Sequence, residues 1–340
     1  MGKHVSISLV LIFLLFFLPW LWGEPSSPVE PPEEETGETG EAEDGDVSFT
    51  PAGAVDGGLA LRVLVDGQVQ EMDMGTYLMG VVRAEMPASF AQEALKAQAV
   101  AARTYAIHKM EGGGSANHPE ADACDDISCC QAYLSQEDAA VNWGDQAAVY
   151  EEKIRAAVAE TDGQCVLYEG RPALTVFHSS SAGMTQDAAD VWSGSLPYLQ
   201  SVQSPESEDT VPNYRSTAAF TAGELQTLLQ TALPEADLTG SPSNWFTNMR
   251  QKENGTVTSL SVGGVEVGGN ELRTILGLRS ACFTISFDDD AVTFSVTGYG
   301  HGVGMSQYGA NTLAADGMTY QEILTWYYTG TTVGTYVYQR

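Results

Sequence analysis

The chain has 340 residues, with 45 acidic and 15 basic side chains and a formal net charge of −30. Binding to nucleic-acid phosphates depends on clustered lysine and arginine, so this charge argues against a nucleic-acid partner. It leaves open a polysaccharide held by stacking and hydrogen bonds, and solubility alone is its simplest explanation.

Residues 1–23 predict a short inner stub followed by a membrane anchor. Residues 5–22 are apolar and uncharged, and a helix of that length spans about 27 Å, close to the roughly 30 Å hydrocarbon core. Lys3 is the positive charge that precedes it, so the amino end is expected inside and the bulk of the chain outside. A cleaved signal peptide is the alternative, but residues 18–23 lack the small-residue cleavage pattern.

Residues 24–50 predict an acidic, disordered linker. They carry ten acidic side chains together with prolines and glycines, and they offer almost nothing apolar to bury against the entropy of ordering. Residues 51–340 are then long enough to fold with a substantial core, as one large domain or as two intimate lobes.

The folded part opens with a predicted hairpin over residues 59–72, which turns at Asp66-Gly67. A helix is expected at residues 75–84 and ends before Pro87. Glu85 lies between this helix and the next. An acid near a helix start commonly complements the helix dipole, and a catalytic carboxyl is the alternative.

Ser89 and Gln92 form a capping-box pattern for an alanine-rich helix at residues 90–109. Lys96 and Arg103 are seven residues apart on it and therefore share one face. That face is either an ordinary solvated surface or, in a chain with so few cations, a binding surface.

The remaining elements alternate between helix and strand, with short turns between neighbouring strands. They are a helix at 145–161, strands at 165–169 and 174–178, a helix at 222–233, a hairpin at 257–267, a helix at 270–278, strands at 283–287 and 291–296, and a helix at 320–328. Local strand pairing favours a mixed α+β fold over a doubly wound sheet.

Four soft metal ligands fall within the loop that spans residues 111–136: His118, Cys124, Cys129 and Cys130. This spacing predicts a closed structural zinc site. Disulfide pairing is the alternative, because oxidation is possible outside the membrane. Cys165 and Cys282 stand apart in predicted strands and are expected to be buried filler.

Two further runs carry side chains able to do chemistry. Gly300-His301-Gly302-Val303-Gly304-Met305-Ser306-Gln307-Tyr308 is glycine-rich, as expected where a main chain passes close to another group. The other run, residues 178–183, begins His178-Ser179-Ser180. A serine-hydrolase interpretation of it fails, since no Gly-x-Ser-x-Gly elbow is present and adjacency of histidine and serine does not give triad geometry.

Three motifs together resemble one known family. The Tyr77–Phe90 run with Ala84-Glu85-Met86-Pro87, the helix with Lys96 and Arg103, and the glycine-histidine run resemble the SpoIID/LytB family of stage II sporulation protein D. The resemblance covers roughly residues 59–335, and its motifs are long, ordered and widely spaced.

The resemblance implies lytic transglycosylation of peptidoglycan, with Glu85 as the acid/base. Cleavage between N-acetylmuramic acid and N-acetylglucosamine would leave 1,6-anhydro ends, because the muramyl 6-hydroxyl is the nucleophile. One carboxyl then suffices, whereas hydrolysis by glycosidases uses two. The residues implied to bind substrate are Lys96, Arg103, Tyr198, His178, Ser180, Thr185, His301 and Gln307, with Tyr198 as a stacking platform.

The resemblance also implies a zinc site and partners. Members can carry two histidines and two cysteines at this spacing, ending as Cys130-Gln131-Ala132-Tyr133 does, but Cys129 stands where they have histidine. The zinc would be structural and not required for catalysis. Implied partners are the amidase and endopeptidase stage II sporulation protein P and the membrane protein stage II sporulation protein M, during engulfment in endospore formation.

Two other functional classes remain as alternatives. A non-catalytic enhancer that binds peptidoglycan and stimulates an amidase corresponds to the LytB branch of the family. A metallohydrolase would need zinc ligands around an open cleft; His178 and His301 are available, but no His-Glu-x-x-His pattern supports them.

Overall fold

The computed structural model describes residues 54–114, 117–192, 194–288 and 291–339. The predicted anchor and acidic linker lie outside these residues. Among the described residues, no helix is both long and apolar enough to cross a membrane.

The fold is a mixed α+β arrangement, as predicted. Its helices are α1 (Met74–Glu85), α2 (Gln92–Glu111), α3 (Gln136–Trp143), α4 (Ala147–Glu160), α5 (Ala188–Val191), α6 (Ala222–Ala232), α7 (Gly269–Leu276), α8 (Gln307–Ala315) and α9 (Tyr320–Tyr327). Its strands are β1 (Ala60–Val65), β2 (Gln68–Asp73), β3 (Ala123–Cys124), β4 (Gln164–Tyr168), β5 (Arg171–Pro172), β6 (Phe177–His178), β7 (Arg215–Phe220), β8 (Phe246–Gln251), β9 (Val257–Val262), β10 (Val265–Gly268), β11 (Phe283–Phe287), β12 (Val292–Thr297), β13 (Met305–Ser306) and β14 (Thr332–Thr335).

Helix α2 lies at the centre of the first hydrophobic core. Its alanines present little side-chain bulk, so α1, α4, α8 and α9 pack directly against it. Three small sheets surround these helices, in the strand orders β2-β1-β3, β14-β4-β5 and β13-β6. The parallel pair β13-β6 brings Ser306 beside His178, and so joins the two polar runs that the sequence singled out.

A second hydrophobic core is formed by residues between β7 and β12. Two three-stranded antiparallel sheets, β10-β9-β8 and β11-β12-β7, pack with α6 and α7 around it. The strands alternate buried and exposed side chains, as in Val292–Thr297, which is the pattern of sheets with one face on a core.

The first hairpin is confirmed, with Val65 opposite Gln68 in its register. Asp66 and Gly67 both have positive φ, 50° and 73°, which is the backbone that a two-residue turn between twisted strands needs. The predicted helices are confirmed to within about two residues at their ends.

Several local predictions were wrong or incomplete. The N-cap position of α2 is Ala91 and not Ser89, so no side chain makes a capping hydrogen bond there. Instead, the Ala91 amide donates to Asn311 Oδ1 on α8 at 2.8 Å, so a tertiary contact replaces the local motif. The strand predicted at 174–178 is reduced to Phe177–His178, and the Leu174 amide donates to the Tyr198 hydroxyl instead of to a neighbouring strand. Helices α3, α5 and α8 and strands β3, β5, β7, β8, β13 and β14 were not predicted.

Candidate active site

Glu85 is the last residue of α1. Asp73 caps the start of this helix by accepting the Thr76 amide, and Met86 ends it in extended conformation. The carboxyl is thereby left at the helix end, where Oε1 accepts the Ala132 amide at 2.8 Å. The side chain of Gln307 donates a second hydrogen bond to it.

Burial raises the pKa of Glu85 to about 7, and the bonds from Ala132 and Gln307 oppose that rise. Within the described chain, no charged group contributes to this shift. Desolvation therefore governs the carboxyl, which is poised between its acid and base forms near neutral pH.

Gln307 begins α8, and Ser306 caps that helix by accepting the Gly309 amide. Its amide nitrogen also donates to Gln98 Oε1 at 3.4 Å. Gln98 is fully buried on α2, and its own amide nitrogen is buried without a partner. The oxygen of Gln98 thus orients Gln307 so that its nitrogen faces Glu85. Sequence reasoning missed Gln98, whose signal was one amide among the alanines of α2.

The segment that follows the cysteines supplies the amide at Glu85. Gln131 anchors it by donating to the Tyr77 hydroxyl at 3.1 Å, and the Tyr133 ring lies over Gly80 of α1. A Cβ atom at Gly80 would stand 2.1 Å from Tyr133 Cε2, so this close approach needs glycine.

Cys124, Cys129 and Cys130 converge just before that segment, with their sulfur atoms within 4.8 Å of one another. None of the three forms a disulfide with another described cysteine. Three thiols so close suit zinc. His118 is not in this group; its Nδ1 lies 3.8 Å from Glu120. Of the four predicted zinc ligands, the structure therefore brings together the three cysteines and not the histidine.

His301 is held by two backbone bonds. Its Nε2 donates to the Phe177 carbonyl at 2.9 Å, and its Nδ1 accepts the Val303 amide at 3.1 Å. Burial lowers the pKa of His301 to about 3, with His178 adding to the effect. Both ring nitrogens are occupied and the ring is neutral, so His301 is suited to packing rather than proton transfer.

His178, Ser180 and Thr185 are buried, so they do not line an open surface as predicted. His178 Nδ1 donates to the Val303 carbonyl at 3.2 Å, and burial lowers its pKa to about 4. Thr185 Oγ1 accepts the Val202 amide at 2.9 Å. Among the predicted cleft residues, the described contacts of Glu85 include Gln307 alone.

The two predicted binding cations on α2 are already paired. Arg103 is completely buried, and its guanidinium donates to both carboxylate oxygens of Asp56 at 2.8 and 2.6 Å. A bound sugar cannot reach it, which corrects the prediction. Lys96 Nζ lies 2.9 Å from Glu93 and 2.6 Å from Glu160. The positions share a helix face, but that face packs within the protein.

Tyr198 is also misassigned as a platform. It is 6 % exposed, and its hydroxyl accepts the Leu174 amide at 3.0 Å. Trp192 is one of the exposed aromatic side chains of the described residues, at 38 %, and its ring centroid lies 5.5 Å from that of His301. The sequence carried a signal for it, a tryptophan in a polar stretch that ends a short helix.

Glu206 is a buried carboxylate that sequence reasoning also missed. It accepts the Ser181 amide and hydroxyl, each at 2.7 Å, and the hydroxyls of Ser204 and Ser306. This network ties the two serine-containing runs together and fixes the start of α8. Glu206 thus positions Ser306, and through it Gln307.

Comparisons with known proteins point to one family. A family profile described as Stage II sporulation protein (SpoIID) matches residues 66–168. Stage II sporulation protein D of Bacillus subtilis (strain 168) is 37 % identical over 265 residues, which cover 78 % of this chain and 75 % of that protein. Its Bacillus amyloliquefaciens counterpart is 36 % identical, over 77 % and 74 %. A protein named Amidase enhancer, from Bacillus subtilis (strain 168), is 30 % identical over 76 % of this chain and 40 % of its own length.

Proposed function

The chain belongs to the stage II sporulation protein D family, and from that premise we propose that it is a lytic transglycosylase of cell-wall peptidoglycan. It cleaves the bond between N-acetylmuramic acid and N-acetylglucosamine during endospore formation. The observation that carries this proposal is Glu85, a single carboxyl with a pKa of about 7 and no carboxylate acting on it among the described residues.

The chemistry needs one group that first gives and then takes a proton. Protonated Glu85 donates its proton to the oxygen of the bond that breaks, and N-acetylglucosamine leaves with a new hydroxyl. The muramyl 6-hydroxyl then bonds to its own anomeric carbon and returns its proton to the Glu85 carboxylate. No water is consumed, so no second carboxyl is required to activate one.

Gln307 and the Ala132 amide support the ionised half of this cycle. Both donate to the carboxylate, and such bonds favour the charged form. Burial favours the neutral form. The balance between them keeps both forms accessible near neutral pH, which is what a residue that alternates between acid and base requires.

Replacing Glu85 by Gln tests the proposal. The amide preserves the size of the side chain but cannot exchange the proton, so we expect cleavage of peptide-free glycan strands to fall at least about 100-fold. Chromatography of the released fragments measures it. Glu266→Gln, an exposed acid in β10, is the matched control and should cleave normally. Full cleavage by Glu85→Gln would rule out the role of Glu85.

A second candidate function follows from the relative named Amidase enhancer. In this alternative the same surface binds glycan without cutting it and stimulates a partner amidase. If wild-type protein released no fragments and yet accelerated an amidase on intact peptidoglycan, the binding function would replace the enzymatic one.

We further propose that the cysteine group holds a structural zinc ion. Cys124, Cys129 and Cys130 supply three ligands, and His118, which stands outside this group, is not one of them. The ion would fix the loop that ends at Ala132 and would take no part in the glycosidic chemistry.

The location and partners are also proposals. The apolar segment 5–22 would anchor the chain with its folded part outside, facing the septal wall. An amidase that removes stem peptides would prepare the substrate; stage II sporulation protein P is the partner proposed for that step, and stage II sporulation protein M is proposed as a membrane partner.

A further inference from the structure

Most cations of the described chain are neutralised by carboxylates. Arg83 pairs with Glu151, Lys96 with Glu93 and Glu160, and Arg103 with Asp56. Six of the thirteen described lysines and arginines have no described carboxylate within ion-pair distance, and Arg273 and Arg279 are two of these six. In a protein of net charge −30, two neighbouring, partly buried arginines without acids are an unusual local feature.

The two arginines form one structural unit beside the glycine-histidine run. Arg273 Nε donates to the Arg279 carbonyl at 3.1 Å, and the Gly300 amide donates to the same oxygen at 2.8 Å. The Arg279 guanidinium lies over the Tyr299 ring, 4.3 Å from its centroid. Both side chains are therefore held in place without an anionic partner.

Their donors remain available. Arg279 Nε is buried and has no hydrogen-bond partner. The terminal nitrogens of both guanidinium groups form no hydrogen bond with any described residue and are not among the buried unpaired atoms. A buried, unpaired arginine donor costs free energy unless something binds to it, and the exposed ends of the same groups provide the route for a ligand.

The Arg279 charge acts on two tyrosines, one of which adjoins Gln307 of the candidate active site. Burial raises the pKa of both Tyr299 and Tyr308, and the Arg279 charge opposes that rise at each. Tyr308 directly follows Gln307, which donates to Glu85. Arg279 is therefore close enough for its charge to act on Tyr308, the residue that follows Gln307.

We propose that Arg279 and Arg273 form a subsite for a sugar carboxylate, the lactyl carboxylate of a muramyl residue. This inference rests on the proposed function. A guanidinium fork binds a carboxylate through two parallel hydrogen bonds. In glycan that still carries stem peptides, the lactyl carboxyl is an amide and has no charge. The subsite thus selects strands from which the peptides have been removed, a task that Lys96 and Arg103, being paired, cannot perform.

Binding to two forms of one glycan tests the subsite. Full-length protein carrying Glu85→Gln is titrated with fluorescently labelled peptide-free strands, and with the same strands after their carboxylates are converted to methylamides. We expect the ionised strands to bind about 10- to 100-fold more tightly. Arg279→Gln should remove that preference, whereas Arg250→Gln, an exposed arginine of β8 without a carboxylate partner, should change it less than about twofold.

Further variants separate recognition from damage to the fold. Arg279→Lys keeps the charge without the fork and should retain part of the preference. A misfolded variant would also lose binding to the methylamide strands. A variant that has lost only carboxylate recognition would still bind those strands as the wild type does.

Different results would overturn the subsite and the proposed mechanism. Equal preference in Arg279→Gln and Arg250→Gln would overturn the subsite alone. Fragments released by the Glu85→Gln protein would overturn the proposed mechanism and leave the binding comparison intact. Failure of both strand forms to bind would overturn both.

Discussion

Glu85 derives its reactivity from its surroundings. Burial raises its pKa, while two neutral donors moderate the rise. The groups around it are themselves held by buried residues, Gln307 by Gln98 and Ser306 by Glu206. At this scale the proposed catalytic role belongs to one side chain, and the neighbouring polar residues set its position and its proton affinity.

The pH dependence of cleavage follows from the raised pKa. Glu85 must be protonated to begin the reaction, and its pKa is about 7, so activity should fall as the pH rises through about 7. Gln307→Leu removes a donor that stabilises the carboxylate, and its pKa should rise further. We therefore expect the alkaline limb of the profile to move to higher pH in this variant.

Initial cleavage rates on peptide-free strands between pH 5 and 9 measure this shift. Gln321→Leu, an exposed glutamine on α9, is the control and should keep the wild-type profile. An alkaline limb that stays in place, or moves to lower pH, in Gln307→Leu would contradict the account of Glu85.

At the scale of elements, the loop between α2 and α3 connects the cysteines to the active site. Cys130 lies two residues before Ala132, whose amide binds Glu85. Tyr133 fixes the end of the same segment by packing on Gly80. A metal ion on the cysteines would therefore stiffen the segment that holds the carboxyl.

Metal analysis of the purified protein tests that connection. We expect one zinc per chain, five free thiols after unfolding in a chelator, and a lower melting temperature once the metal is removed. Cys129→Ser should bind zinc more weakly, whereas Cys282→Ser, far from the group, should bind it normally. A zinc-free protein with three free thiols would indicate one disulfide among the five cysteines.

The sequence predicted the positions of helices and strands better than the tertiary contacts at their ends. Helix α1 and the first hairpin were predicted because their periodicity and turn residues act locally. The start of α2 was predicted wrongly, since Asn311 from a distant helix bonds to Ala91 and no local pattern encodes that contact. Arg103 and Lys96 share a helix face as predicted, but which partner covers that face depends on tertiary packing.

At the scale of the whole molecule, two hydrophobic cores contribute to one polar region. The first core positions Glu85, Gln98 and Gln307, and α7, which packs on the second core, carries Arg273. The family resemblance implied that Glu85 and Gln307 belong to one cleft. It did not indicate Gln98, Trp192 or Glu206, because a lone amide, indole or carboxylate acquires its role only from neighbours that folding brings near.

The most direct test of the central claim is the oxygen content of the new chain ends. Wild-type protein is incubated with peptide-free glycan in water enriched in oxygen-18, and the products are analysed by mass spectrometry beside Glu85→Gln. If Glu85 acts as proposed, we expect 1,6-anhydro-muramyl ends without oxygen-18 in the wild type, and no new ends in the variant. Reducing ends that contain oxygen-18 would show hydrolysis by water, and would contradict a mechanism with Glu85 as the sole carboxyl.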